Sequence, residues 1–192
     1  MCAKKTEVRP YHHGNLKGEL IENGLKYIDK YGVESLSMRK LAEASGVSSA
    51  APYAHFKNKD AFLDAVQEHI TENLTEALKT AYENSGDREV LIELGKSYVK
   101  FFYENPLYYQ FIFARRSIDI NAFPPYQFYC EVASEALKRM HNKRLTKAII
   151  RKKIITMWAT VHGLARFALM EGVLDTDNLD KEIEQLLCSI EV

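Results

Sequence analysis

The sequence predicts an all-α fold of about nine helices, with a small three-helix N-terminal part and a larger helical part behind it. Three observations predict it. Apolar residues recur with helical period through almost every segment. Glycine, proline and Asn/Asp/Ser/Thr residues punctuate those segments where helices start and stop. No stretch reads convincingly as a strand, and there is no internal repeat or low-complexity tract.

The elements follow in order. Leu16, Leu20, Ile21, Gly24, Ile28 and Tyr31 share one helix face, with Asn15 as cap and Gly32 as stop. Ser37 caps a short helix whose Met38, Leu41, Ala42 and Ser45 share a face, and Gly46 stops it. A very short element runs from about Ser49 to Phe56. Asn58 then caps a longer helix carrying Phe62, Leu63, Val66, Ile70 and Leu74. Ser85-Gly86-Asp87 breaks the chain before a helix from about Arg88 to Tyr103, which carries Leu91, Leu94, Tyr98 and Phe102. Pro106 cannot sit in a helix interior, so it starts the next element. Ser117 to Pro125 reads as a loop, and a helix follows with Tyr129, Val132, Ala133, Ala136, Leu137 and Met140 in phase. Thr146 caps a long helix reaching about Met170. Gly172 to Asp177 is a turn, and Asp177 or Asn178 opens a last helix with Leu179, Ile183, Leu186, Leu187 and Ile190.

Composition narrows the class. The 192 residues are 46% hydrophobic and 27% charged, ordinary for a globular protein with its own core. Net charge is zero, but residues 1–60 hold ten Lys and Arg against seven acids, so the front is +3 and the remainder −3. Cys2, Cys130 and Cys188 form no C-x-x-C pair and are odd in number, which fits free thiols in a reducing cytosol. No apolar run reaches membrane-spanning length, and Met1 to Asn15 is polar, so no secretory signal is expected and the cytoplasm is. There is no nucleophile elbow, glycine-rich phosphate loop, H-E-x-x-H or paired-cysteine site, so no enzyme and no cofactor are expected. His12 and His13 are adjacent, but no Cys or carboxylate completes a ligand set, so no metal is expected either.

The informative stretch is Ser35 to Lys59. It reads as a short amphipathic helix, a glycine turn and a second short helix, the layout of a helix-turn-helix. Gly46 tolerates the positive φ that the turn needs, Ala42 lets the helices approach, and Val47 packs in the crook. Ser48, Ser49, Ala50 and Ala51 are small enough to let a backbone come close to DNA. Tyr53 and His55 can donate to phosphates, and Lys59 opens the next helix, where its charge and the free N–H groups favour an anion. Arg39 can reach a phosphate or fork onto a guanine. The Lys4, Lys5 and Arg9 arm either touches the DNA backbone or minor groove or stays disordered. A short helix–Gly–short helix also occurs in proteins that never touch DNA.

The pattern G-V-S-x-x-x-x-Y-x-H-F-x-x-K behind L-S-x-R-x-L-A resembles the DNA-binding domain of the TetR (tetracycline repressor) family. It matches at Gly46, Val47, Ser48, Tyr53, His55, Phe56 and Lys59, and upstream at Leu36, Arg39, Leu41 and Ala42. Trp158 to Ala165 resembles the W-x-x-x-H-G signature of one TetR C-terminal subclass, as do His12-His13-Gly14-Asn15-Leu16 and the A-P-Y form of the recognition element. The resemblance implies a transcriptional regulator, a repressor released from its operator by a small-molecule ligand. It implies a helix-turn-helix head over 1–60 and a ligand-binding and dimerisation domain over 61–192. The implied DNA-contacting set is Ser37, Arg39, Ser48, Ser49, Ala50, Ala51, Tyr53, His55 and Lys59. A homodimer on a palindromic double-stranded operator is expected, with the last two helices as the dimer surface, although the final apolar stripe could equally pack internally. Pro52 departs from an ordinary recognition helix: it removes a backbone bond and biases Ala51 away from α geometry, so an irregular first turn is expected.

The aromatic residues from Tyr98 to Tyr129 read first as core. Their number and their hydroxyls admit a second reading, a partly apolar pocket for a small apolar or amphipathic effector. The candidate lining is Tyr98, Phe102, Tyr109, Phe113, Tyr129, Trp158 and His162. Trp158 and His162 share a helix face. His162 is either a satisfied core histidine at a close crossing that Gly163 permits, or a pocket residue. A helical enzyme or carrier, and an architectural DNA binder without a ligand, are the alternatives.

Overall fold

The computed structural model describes residues 15–86, 89–115, 119–141 and 145–189. Among these residues are eight α-helices, four short 3-10 turns and no strand. Cys2, the Lys4, Lys5 and Arg9 arm, the His12–His13 pair and Ile190 lie outside the described residues. The chain divides into two compact units, Met1–Val66 and Gln67–Val192. That division falls inside a helix, beyond the residue-60 boundary read from the sequence.

The first unit holds α1 (Leu16–Tyr31), α2 (Met38–Ala44) and the start of α3 (Lys59–Glu83). Asn15 Oδ1 accepts from the Gly18 N–H at 3.2 Å and starts α1. Gly32, at φ +78°, ends it by donating to the Ile28 carbonyl. Leu20, Ile21, Gly24, Leu25 and Ile28 are buried. Tyr31, expected on that face, is instead 54% exposed, because its ring lies outside the core beside Tyr27, one turn back, at 4.8 Å. Ser37 caps α2 by accepting from the Lys40 N–H, and Met38, Leu41 and Ala42 face inward. Asn58 Oδ1 accepts from the Ala61 N–H at 2.9 Å and starts α3. Phe62 is fully buried, with Phe56 edge-on to it at 5.2 Å. A Cβ on Gly24 would collide with the Phe62 ring and stand 3.1 Å from Leu41 Cδ1. Glycine is therefore what lets α1 seat against this ring.

The second unit is built around α4 (Val90–Glu104), which packs against α5 (Pro106–Arg115), α6 (Pro124–Met140), α7 (Lys147–Ala168) and α8 (Leu179–Cys188). A 3-10 turn, Ile120–Ala122, occupies part of the expected loop, and α6 starts earlier than read, at Pro124. Proline fits a first helical position, where no N–H partner is needed. Met140, placed in phase with the α6 core, is 48% exposed, although Leu137 one turn earlier is fully buried. Thr146 caps α7 as expected by accepting from the Ile149 N–H at 3.3 Å.

Part of the final apolar stripe packs internally, while Leu186 is half-buried. Leu179 and Ile183 are buried, and a Cβ on Gly95 of α4 would stand 2.6 Å from Leu187 Cδ1. Lys100–Asp180 at 3.4 Å holds the same pair of helices from outside. Gly163 makes no close crossing within the chain among the described residues: none of their atoms lies within 4 Å of where its Cβ would sit.

Gly24→Ala is expected to destabilise the protein by about 1–2 kcal/mol, although alanine is the better helix former by about 1 kcal/mol, because overpacking a tight site costs about 1–3 kcal/mol. Urea denaturation measures this; an unchanged or raised midpoint would contradict the packing described.

Candidate functional site

The helix-turn-helix is built from α2, its turn and the segment that follows. The Gly46 N–H donates to the Glu43 carbonyl at 3.2 Å and the Val47 N–H to the Ala42 carbonyl at 3.0 Å. With Gly46 at φ +67°, this paired arrangement ends α2 and reverses the chain. The segment after it is not an α-helix. Ala51, Tyr53, Ala54 and His55 each donate to the carbonyl three residues back, at 3.0–3.2 Å, and Pro52–Ala54 is a 3-10 turn. Pro52 has no N–H to give, which favours this tight winding. Ala51 nonetheless sits in the α region, at φ −59° and ψ −45°, against the expected bias. This turn is the ninth helical element read from the sequence.

The winding sorts its side chains. Pro52 and Phe56 are buried; Ser48, Ser49, Ala50, Tyr53 and His55 are exposed, and Ala51 is half-buried. Tyr53 leaves 57% of its surface in solvent, more than any other large hydrophobic residue among those described. Ser37 and Arg39 are exposed at the start of α2. The Ser37 side chain is already engaged as a cap. Lys59 is the first residue of α3, at the positive end of the helix dipole, where a cation costs helix stability and an approaching anion is favoured. Among the described residues, Arg39, Lys57 and Lys59 form no ion pair. Lys57, read as a plain solvated charge, is exposed beside this group.

The second unit gathers all seven predicted aromatic and histidine residues. His162 is their polar hub: Tyr98 Oη lies 3.0 Å from Nδ1 and Tyr109 Oη 3.1 Å from Nε2. Tyr109 stacks on the imidazole at 5.2 Å, and Phe113 meets it edge-on at 4.5 Å. Phe102 touches Tyr98, Tyr109 and Phe113, while Trp158 packs on Tyr98 at 4.9 Å and Tyr129 at 5.3 Å. Burial pushes the Tyr98 and Tyr129 phenols up and the His162 imidazole down, so His162 is neutral at pH 7. Tyr109 is also pushed up by burial, with the Arg166 charge opposing. The candidate lining left out Tyr126, a member of the aromatic cluster that packs on Trp158 at 5.0 Å, and sequence reading missed Arg166, one turn beyond His162 on α7. The i+4 spacing from His162 was the available signal for Arg166. Cavities of about 240, 420 and 370 Å³ open elsewhere in this unit. The described residues hold no cluster of His, Cys, Asp or Glu suited to a metal.

An exposed helix-turn-helix on a small helical unit, with a second all-helical unit behind it in the chain, is the layout of a two-part helical regulator. Known proteins agree. The family model described as bacterial regulatory proteins, tetR family, matches residues 20–66, and that for a tetracyclin repressor-like C-terminal domain matches residues 91–189. The chain belongs to the TetR family of bacterial regulatory proteins. Tetracycline repressor protein class G of Vibrio anguillarum is 48% identical over 52 residues, 27% of this chain and 25% of that protein. The match to such curated relatives thus spans about a quarter of their length. A Rhodococcus protein of unknown function has a TM-score of 0.75 at 28% identity, covering 94% of this chain and 96% of that one. A TetR/AcrR-family transcriptional regulator from Thermobifida fusca shares the fold at TM-score 0.73 and 18% identity, covering 92% and 98% of the two chains.

The buried imidazole predicts a pH dependence. Its folded-state pKa lies below the ordinary 6.5. The unfolded chain then binds the proton first, and stability falls as pH drops below about 6.5 toward the lowered folded value. His162→Phe should flatten the stability–pH curve between pH 7 and 5.5 relative to wild type; parallel curves would show that His162 does not titrate as described.

Proposed function

We propose that the chain is a cytoplasmic, non-enzymatic DNA-binding repressor of the W-x-x-x-H-G subclass. It sits as a homodimer on a palindromic operator and leaves when a small apolar or amphipathic ligand enters the second unit. The observation that carries the reading is the 48–55 turn, whose small side chains and Tyr53 stand in solvent beside the unpaired cations Arg39, Lys57 and Lys59. Phosphates would be met by Tyr53, His55 and Lys59, with Ser37 supporting α2 as its cap. Ser48, Ser49, Ala50 and Ala51 would face base edges, where alanine offers methyl contact to thymine and little hydrogen-bonded readout. Groove shape would then carry part of the specificity.

One such turn covers few base pairs, so two copies on half-sites about 34–36 Å apart are needed. The second copy would meet the last two helices, where Ile155 and Phe167 of α7 are 41% and 46% exposed and Leu186 of α8 is half-buried. α3 is the covalent link through which a ligand would act. Weakening operator binding a thousandfold requires the ligand to favour the released state by about 4 kcal/mol.

Selection of bound DNA from a random pool should return a palindrome. On the selected duplex, Lys59→Ala should weaken binding by about 5–30-fold and lower the slope of log K against log salt by about one, the mark of a lost phosphate contact. Failure to enrich any sequence, or a Lys59→Ala variant that binds like wild type at all salt concentrations, would count against the assignment.

A further inference from the structure

The first unit carries a second exposed aromatic surface, on α1 rather than on the recognition turn. Tyr31 is the next most exposed large hydrophobic residue after Tyr53 among those described. Tyr53 has a role in the proposed function; Tyr31 has none, and its ring forgoes the burial that usually places an aromatic. That ring lies 4.8 Å from the ring of Tyr27, one turn back on α1. The Lys30 ammonium stands over the Tyr31 ring at 5.0 Å, and the Lys40 ammonium of α2 stands over the Tyr27 ring at 5.8 Å. Two helices thus bring two lysines onto one pair of rings.

This patch is continuous with the start of α2. The Lys40 N–H donates to Ser37 Oγ at 3.3 Å, and Arg39 is the residue between them. Contacts therefore run unbroken from Ser37 through Lys40, Tyr27 and Tyr31 to Lys30. Both lysines are exposed, and neither forms an ion pair among the described residues. Asp29, Glu34 and Glu43, the acids nearest in sequence, are exposed and pair with neither of them. A ring face steadies an ammonium without using up its three N–H donors. Each lysine is thus held in place with its charge and donors still open to an anion.

We infer that this patch is a second contact with the DNA backbone, in which the Lys40 and Lys30 ammoniums each take a phosphate beside the groove-entering turn. The inference rests on the DNA-binding reading and adds two contacts to it, one of them on α1, outside the helix-turn-helix. Backbone phosphate is the occupant that fits. The patch offers cations and phenol hydroxyls, the groups that position a protein on a duplex without reading its bases. It also borders Ser37 and Arg39, which that reading already sets against the same duplex. Tyr27 and Tyr31 act as positioning residues, since their rings hold the ammoniums.

The test is the affinity of the full chain for the duplex selected from a random pool, measured between about 50 and 200 mM salt. Lys30→Gln and Lys40→Gln, which change exposed residues, should each weaken binding about three- to tenfold. Together they should lower the slope of log K against log salt by about two. Lys79→Gln, an exposed lysine of the second unit, should leave the slope unchanged and so controls for overall charge. Tyr31→Leu keeps the Lys30 charge but removes its seat, and should cost about two- to fivefold, the worth of an exposed cation–π contact, with the slope unchanged. A double lysine variant that binds like wild type, or loses no more slope than Lys79→Gln, would overturn the inference. If Lys59→Ala weakens binding and the double variant does not, the patch is wrong and the regulator reading stands. If the wild-type chain enriches no sequence, both fall.

Discussion

The exposed helix-turn-helix surface, proposed to face DNA, is held up by one aromatic ring. Phe62, on the first turn of α3, is sealed against α1 at Gly24 and against Phe56 at the end of the turn, and Gly24 also faces Leu41 of α2. α1 and the Phe56 end of the turn thus take their position from the same side chain. Burying a phenylalanine contributes roughly 1.5–3 kcal/mol, and here that burial also sets geometry. The glycine is the complementary half of the contact, since any side chain at that position would push α1 off the ring. With α1, α2 and Phe56 fixed, the chain between Gly46 and Phe56 has little choice of path, and its small residues and Tyr53 are forced outward.

The second unit solves a different problem, that of keeping polar atoms inside an aromatic interior. An imidazole and two phenols lie among Phe102, Phe113 and Trp158, where unpaired polar groups are expensive. They satisfy one another across α4, α5 and α7, so the histidine ties three helices together at one point. That arrangement makes His162 a hydrogen-bonded residue of the interior, as in the first of the two readings drawn from the sequence.

Much of this was legible in the sequence where the physics is local. The caps Asn15, Ser37, Asn58 and Thr146 bind N–H groups three residues on, so residue type and position identified them. Gly32 and Gly46 were readable for the same reason, as positive-φ stops. What stayed hidden depends on neighbours distant in sequence. Periodicity put Tyr31 and Met140 on core faces, but only the fold decides whether anything covers a last turn. It also left the α8 stripe open between internal packing and a second copy, and the seat of Leu187 on Gly95, far away on α4, could not be read from the stripe itself. The aromatic set was recognisable by composition, yet its pairing through His162 needed three helices in place. Pro52 announced irregularity without revealing that Pro52–Ala54 winds as a 3-10 helix.

The account stands or falls on whether the face held up by Phe62 is the one that meets DNA. Backbone amide chemical shifts, followed by NMR while the selected duplex is titrated in, test that directly. The amides from Ser37 to Lys59 should shift most, with Ser49, Ala50 and Tyr53 among the largest changes. Changes centred on other surfaces, with the Gly46–Phe56 turn unmoved at saturating DNA, would contradict it.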